Sequence, residues 1–253
     1  MSILNVNTIQ PVGSAQTITV SATDFKIGST TLSSGGAVTI SAGSTSAPSV
    51  SPSGDSNTGI FFPSPDTVCI GEGGSEVLRV DSSGRVGVGT NRLSRPFEVW
   101  AGTAGTSFSV DSSGRITKPF QPYFYATRSG NQTNFDMTAS STSVVVYNTT
   151  SANVGNHYST STGLFTAPVS GMYAFSAAAV TTVTSEEMWW IVNGTRTTTP
   201  LHPTSTTLGK AVDIVYLNAN DTIGIHPYDS GGVTNATIEA NIAHTYFKGY
   251  LMG

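Results

Sequence analysis

HYSTSTGLFTAPVSGMYAFS, residues 157–176, decides how the rest of the chain is read. A polar, turn-rich approach, His157–Gly163, leads into a short strand, Leu164–Ala167. Pro168-Val169-Ser170-Gly171 then interrupts the chain, because proline has no N–H for a ladder and glycine accepts positive φ. A second run follows, Met172–Val180. Tyr173, Phe175, Ala177 and Ala179 fall on one parity, and Met172, Ala174, Ser176, Ala178 and Val180 on the other. Alternate strand residues face opposite ways, so a run that is small or apolar on both parities predicts a strand covered on both sides. A central strand of a jelly roll or sandwich has this pattern.

Composition points the same way. The 253 residues suffice for one large or two ordinary domains. Hydrophobic residues make up 38% and recur in short alternating runs rich in Thr, Val and Ile, without helical periodicity, so the chain reads as all-β. Only 10% of residues are charged and the net charge is −4, which argues against a nucleic-acid partner, whose binding rests on basic patches. No stretch approaches the ~18 apolar residues that span a bilayer, so no membrane insertion is expected. The opening MSILNVNTIQ has neither a basic region nor an apolar core, which predicts no secretory signal. Cys69 is the sole cysteine and has no intrachain partner, in keeping with assembly in a reducing cytoplasm.

The string S-T-G-x-F-T-x-P-x-x-G-x-Y-x-F, carried by Thr162, Gly163, Phe165, Thr166, Pro168, Gly171, Tyr173 and Phe175, resembles the central strands of the complement first-component globular-head family, the tumour-necrosis-factor-like jelly roll. Phe120–Arg128 is similar to that family's opening strand, Trp190–Gly194 to the hairpin after the centre, and Phe247-Lys248-Gly249-Tyr250-Leu251 to its closing strand. The resemblance implies a homotrimer of ten-stranded jelly rolls used for binding, not for catalysis. The connecting loops do not match, so the family's ligands do not transfer.

A second resemblance lies upstream. Gly54–Thr90, GDSNTGIFFPSPDTVCIGEGGSEVLRVDSSGRVGVGT, is similar to a segment of bacteriophage tail-fibre proteins, and Pro96-Phe97-Glu98-Val99 supplies the short strand that follows there, with Asn91-Arg92 replacing the usual Ser-Pro. Within it Val80-Asp81-Ser82-Ser83-Gly84-Arg85-Val86 recurs as Val110-Asp111-Ser112-Ser113-Gly114-Arg115-Ile116. Each copy predicts strand, Asp-initiated turn, glycine at a left-handed position, then strand. Two copies fall short of the ~3 repeats a solenoid needs, so identical chains around a three-fold axis are the expected partners of these thin faces.

The expected organisation is an N-terminal attachment or shaft segment over 1–49, a shaft over 50–118 and a jelly-roll head over 119–253. Met1–Pro11 reads either as an anchor for another virion protein or as a frayed leader. Thr17–Ala22 and Val38–Ala42 are expected strands, and Ser44–Pro52 a non-packed spacer. In the head, Val144–Tyr147, Met188–Val192, Ala211–Leu217, Thr222–His226 and Thr245–Leu251 read as strands, with Asn193-Gly194 a hairpin turn.

No phosphate loop, zinc-protease helix, nucleophile elbow or paired-cysteine site is spelled out, so no catalytic residue, metal or cofactor is expected. His157, His202, His226 and His244 lack ligand spacing. The head's acids are Asp136, Glu186, Glu187, Asp213, Asp221, Asp229 and Glu239; neighbours Glu186 and Glu187 point to opposite faces of an extended chain and cannot flank one sugar. Trp189 and Trp190 likewise diverge, one toward the core and one toward a neighbour or solvent. The reading that results is an all-β homotrimeric virion fibre assembled in the host cytoplasm: a thin β-rich trimeric shaft and a ten-stranded jelly-roll head that binds a host-surface glycan or protein. A capsid decoration fibre and a polysaccharide-degrading fibre are the alternatives. A strand that leaves the stalk at Pro122 ends at the far end of the head, so the polar connection Ser129–Phe135 and the segment from Tyr228 to about Asn241 are expected at that apex. Asn131, Thr133, Asn134, Tyr228 and Asn235 are the candidate receptor contacts.

Overall fold

The computed structural model describes residues 40–102, 105–197, 201–240 and 243–252. Met1–Pro11 and the expected strand Thr17–Ala22 lie outside them, as do residues 38 and 39; residues 40–42 form no strand. The described chain contains no α-helix. Residues 43–253 form one compact unit.

Seven short strands follow one another in a single sheet in sequence order: β1 (Gly59–Phe61), β2 (Val68–Glu72), β3 (Ser75–Val80), β4 (Val86–Val88), β5 (Phe97–Trp100), β6 (Thr106–Val110) and β7 (Ile116–Thr117). All neighbours are antiparallel except β4 and β5. The two Asp-Ser-Ser-Gly-Arg copies form the β3–β4 and β6–β7 turns, and they are built alike. Asp81 Oδ1 accepts from the N–H groups of Ser83 and Arg85 at 2.9 and 3.0 Å, and Asp81 Oδ2 from Arg85 Nε at 2.8 Å. Asp111 repeats this with Ser113 and Arg115 at 2.9, 2.9 and 2.7 Å. Gly84 and Gly114 sit at φ 74° and 77°, the left-handed position the repeat predicts. The 44–52 segment is not a free spacer: Val50 bridges Ile60, with N–H to O distances of 3.1 and 2.9 Å.

Ten further strands form the second network: β8 (Tyr123–Thr127), β9 (Gln132–Phe135), β10 (Thr149–Val154), β11 (Phe165–Thr166), β12 (Gly171–Val192), β13 (Thr195–Arg196), β14 (Leu201–Leu217), β15 (Thr222–Tyr228), β16 (Ala236–Ile238) and β17 (Tyr246–Leu251). β12 is their hub. Its first half lies between β14 and β17, and Glu187–Val192 pair with β15. The sequence predicts two strands here, Met172–Val180 and Met188–Val192; the structure joins them. Register shifts between Val180 and Met188 mark the crossover, where irregular pairing bends the ribbon so that one long strand pairs with β17 before the bend and with β15 after it. Such a folded ribbon is the device by which a jelly roll closes on itself.

Aromatic side chains fill the space inside. Phe124 stacks on Tyr158 and Phe165 at 4.8 and 5.1 Å and meets the Phe247 ring edge-on at 4.8 Å, with Phe175 and Trp190 completing the cluster. Each such ring contributes roughly 1.5–3 kcal/mol by leaving water. The buried phenols are satisfied: Tyr147 donates to Ala178 O at 3.1 Å and Tyr158 to Tyr147 O at 3.0 Å.

Two expectations about this part of the chain need correction. Val144–Tyr147 is not a strand. Its backbone groups are taken by side chains and one backbone contact to β15: Val146 N–H donates to Gln132 Oε1, Tyr147 N–H to Tyr158 Oη, Val145 N–H to Ile225 O, and Arg128 donates to Val146 O. β12 is fully covered on one side and only partly on the other, where Ala178 is buried and Val180 half-buried. Tyr173, Phe175, Ala177 and Ala179 are buried, whereas Met172 stays 41% exposed and Ala174 and Ser176 half-buried.

Candidate functional site

The register places the loops. Tyr123 pairs with Tyr250 and Thr127 with Tyr246, while Leu251 N–H donates to Pro122 O. β8 thus climbs from Pro122 as β17 descends, and the end where β8 finishes also holds the start of β17. β12 climbs with β8, since Tyr173 opposes Leu251 and Ala178 opposes Tyr246. Thr181 then bridges Ile238, Thr237 N–H donates to Thr182 Oγ1, and Ala240 N–H to Asn131 Oδ1 at 2.9 Å. The Asn131 connection and residues 236–240 therefore meet at one end of the head, the end opposite Pro122.

The candidate residues differ in what the structure makes of them. Asn131 is exposed, and its carbonyl oxygen ties the two segments together. Thr133 and Asn134 belong to β9 and not to a loop: Ser129–Phe135 is a connection only as far as Asn131. Phe135 is buried against the His226 ring, and Gln132 holds Val146, so two inward anchors turn a polar stretch into a strand. The Thr133 and Asn134 side chains remain exposed, with Asn134 at φ 53°. Asn235, also exposed, precedes Ala236, which opposes Phe135.

Tyr228 is not a free stacking surface. It ends β15 opposite Glu187, half-buried, with the Arg196 guanidinium 4.9 Å above its ring. The same guanidinium lies 5.1 Å from the Trp189 ring, and Arg196 Nη2 donates to Thr138 O and to His226 Nε2. Of the two tryptophans, Trp190 is buried and Trp189 half-buried. The sequence offers one clue to this group, the Asn193-Gly194 turn that sets Arg196 against Ile191. Nearby, Glu186 accepts from the N–H and hydroxyl of Ser230 at 3.1 and 2.8 Å, which occupies its carboxylate structurally. Among the described residues no three His, Cys, Asp or Glu side chains group as metal ligands.

A second surface is apolar. The outward face of β8, β17, β12 and β14 presents Tyr123, Tyr250, Met172, Val212, Ile214 and Tyr216, each 40–64% exposed. Small residues in the β12 column, Ala174 and Ser176, floor a depression of about 390 Å³ walled by Tyr123, Tyr250, Lys248 and Val212. Four paired strands thus hold a broad apolar sheet face against water.

The C1q-domain family model matches residues 124–252, which takes in nine of the ten strands entire and most of β8. The chain belongs to the C1q-domain family. Among solved structures it is similar to the globular domain of zebrafish complement 1qA protein, at 17% identity over 53% of this chain and 98% of that one, TM-score 0.37. It is also similar to murine APRIL at pH 8.0, at 11% identity over 52% and 99%, TM-score 0.38, and to Eiger TNF from S. frugiperda, at 10% over 54% and 94%, TM-score 0.35. No curated protein matches it. In this C1q domain the Tyr123–Tyr216 face and the Asn131 apex are separate surfaces, one suited by its apolarity to permanent cover and the other, by its exposed amides and hydroxyls, to a polar ligand.

Proposed function

We propose that the chain is a homotrimeric bacteriophage virion fibre, with a shaft over 50–118 and a C1q-domain head over 119–253 that binds a host-surface receptor and carries out no catalysis. The observation that carries the assembly is the apolar sheet face. Side chains as large as Tyr216, Tyr250 and Ile214, 50–58% exposed on one continuous sheet, are the composition of an interface core. The thin seven-stranded sheet supports the same reading, since Ile60, Val68, Ile70 and Ile116 also lie 39–62% exposed. The virion assignment rests on the resemblance of Gly54–Thr90 to phage fibre segments and on the paired Asp-Ser-Ser-Gly-Arg turns. Receptor binding falls to the apex, where three copies of weak polar contacts would gain by avidity.

Light scattering of the full-length protein tests the assembly: a particle of three times 26.2 kDa is expected, and a monodisperse monomer at micromolar concentration overturns it. Gold-labelled antibody on intact virions tests the location: label at the tail tip supports adsorption, label over the capsid supports decoration, and no label overturns the virion assignment.

A further inference from the structure

The seven-stranded sheet carries a pocket of about 340 Å³, lined by Glu76, Gly89, Thr90, Asn91, Arg92 and Trp100, at the lower end of the ~300–1,000 Å³ typical of small-ligand sites. Trp100 ends β5, and by alternation it shares a face with Glu98, which is buried. Trp100 is nevertheless 42% exposed. The register slips between Val99 and Trp100, the kind of irregularity that re-aims a side chain at a strand end. Opposite lies Gly89 at φ 71°, where a Cβ would come within 3.1 Å of the Trp100 carbonyl oxygen; the bare glycine lets the two backbones approach.

The far wall is a fastened loop. Thr90 Oγ1 accepts from Arg92 N–H at 3.1 Å, and the Glu98 carboxylate accepts from the N–H and hydroxyl of Ser94, both at 2.9 Å. The loop is thereby held at both ends, while among the described residues the side chains of Asn91 and Arg92 have no hydrogen-bond or ionic partner. Glu76 is already matched, since Arg79 donates to both of its oxygens at 2.7 Å. The uncompensated charge of the pocket is the Arg92 guanidinium. An open indole face, an amide and one free guanidinium on a rigid frame are what a sugar ring with an acidic substituent requires: C–H groups on the indole, hydroxyls on the amide, carboxylate on the fork.

We infer that this pocket binds an acidic pyranose, a hexuronate unit of a surface polysaccharide, with the ring on Trp100 and the carboxylate on Arg92. The site is distinct from the head's apex, and every residue that lines it comes from a single chain. The test uses the full-length protein with a glucuronate-containing disaccharide and its neutral glucose counterpart, read by saturation-transfer NMR and by light scattering on the same samples. The uronate disaccharide should bind the wild type at least ten-fold more tightly than the neutral one. Trp100→Ala should lose binding of both, and Arg92→Gln should lose the preference while keeping the neutral sugar's affinity. Absence of binding by the wild type, binding undiminished in Trp100→Ala, or an unchanged preference in Arg92→Gln each overturns the proposal. So does a loss of oligomer mass in Trp100→Ala, which would make the indole an interface residue. A wild-type monomer that binds the uronate sinks the fibre assembly and leaves this site standing.

Discussion

His226 and Arg196 meet inside the head with Nε2 and Nη2 3.3 Å apart. A guanidinium only donates, so Nε2 accepts, and the ring's proton sits on Nδ1, which donates to Ser143 O at 2.7 Å. The imidazole is therefore neutral, with no side-chain surface in water. Burial foremost, with the Arg196 charge adding to it against the opposing pull of Ser143 O and Asp136, holds its pKa below the ordinary 6.5.

The pH dependence follows in sign. Just below pH 6.5 the unfolded chain takes up a proton that the folded head refuses, so stability is complete above that pH and is lost as pH falls toward the depressed folded value. His226→Gln, which can still donate to Ser143 O and accept from Arg196, should flatten the dependence of the melting temperature as pH falls below about 6.5. Equal slopes in wild type and variant would remove His226 as its source.

Gly84 and Gly114 offer a cleaner contrast. A Cβ at either position meets no atom within 4 Å, so a substitution there pays only for the left-handed backbone. Gly84→Val and Gly114→Val should each cost about 1 kcal/mol or more in thermal unfolding, with asparagine tolerated better. Gly249→Ala should destabilise for another reason, since its Cβ would overlap the Phe175 ring and come within 2.9 Å of Phe124; overpacking of that kind costs roughly 1–3 kcal/mol. Neutral melts for both turn variants would contradict the assignment of backbone strain.

These turns show what was legible in the sequence. A turn is a local event, and Asp81, Gly84 and Arg85 spell its hydrogen bonds within five residues. The hub strand was legible for the same reason, through the alternation of Tyr173, Phe175, Ala177 and Ala179. Its continuity was not, because the expected strands stop at Val180 and resume at Met188, and the register shifts that carry the strand around the bend depend on partners β14 and β15. Val144–Tyr147 spells a strand, yet Gln132 and Tyr158 occupy its backbone groups, a tertiary fact that no local pattern records. Tyr228 lost its freedom to Arg196, which lies 32 residues earlier in the chain.

The apolar face gives a direct prediction on assembly. Ile214 is 51% exposed on β14, and its side chain lies outside the aromatic core. Ile214→Glu should convert the proposed trimer to monomer in light scattering while the near-ultraviolet signal of the buried Trp190 and Phe cluster persists. An unchanged oligomer with the charge in place would exclude this face as the contact.

Adsorption is the last test, and the structure decides which apical residues are fit to carry it. Asn131 is a poor choice: its side chain accepts from Ala240 N–H, and alanine there should cost about 1 kcal/mol of local order whatever the residue binds. Tyr228 is held by Arg196 and Trp189, so its loss would disturb β13 as well. Thr133, Asn134 and Asn235 are exposed, and Asn134 needs a replacement that accepts φ 53°. The combination Thr133→Ala, Asn134→Gly and Asn235→Ala removes two amides and a hydroxyl without taking a residue from the core. Under the proposed function, virions carrying it should adsorb to host cells at a rate reduced at least ten-fold, with the protein's melting temperature within about 2 °C of wild type. Adsorption at the wild-type rate with the fold intact would place the receptor contact elsewhere and favour a decorating role on the capsid.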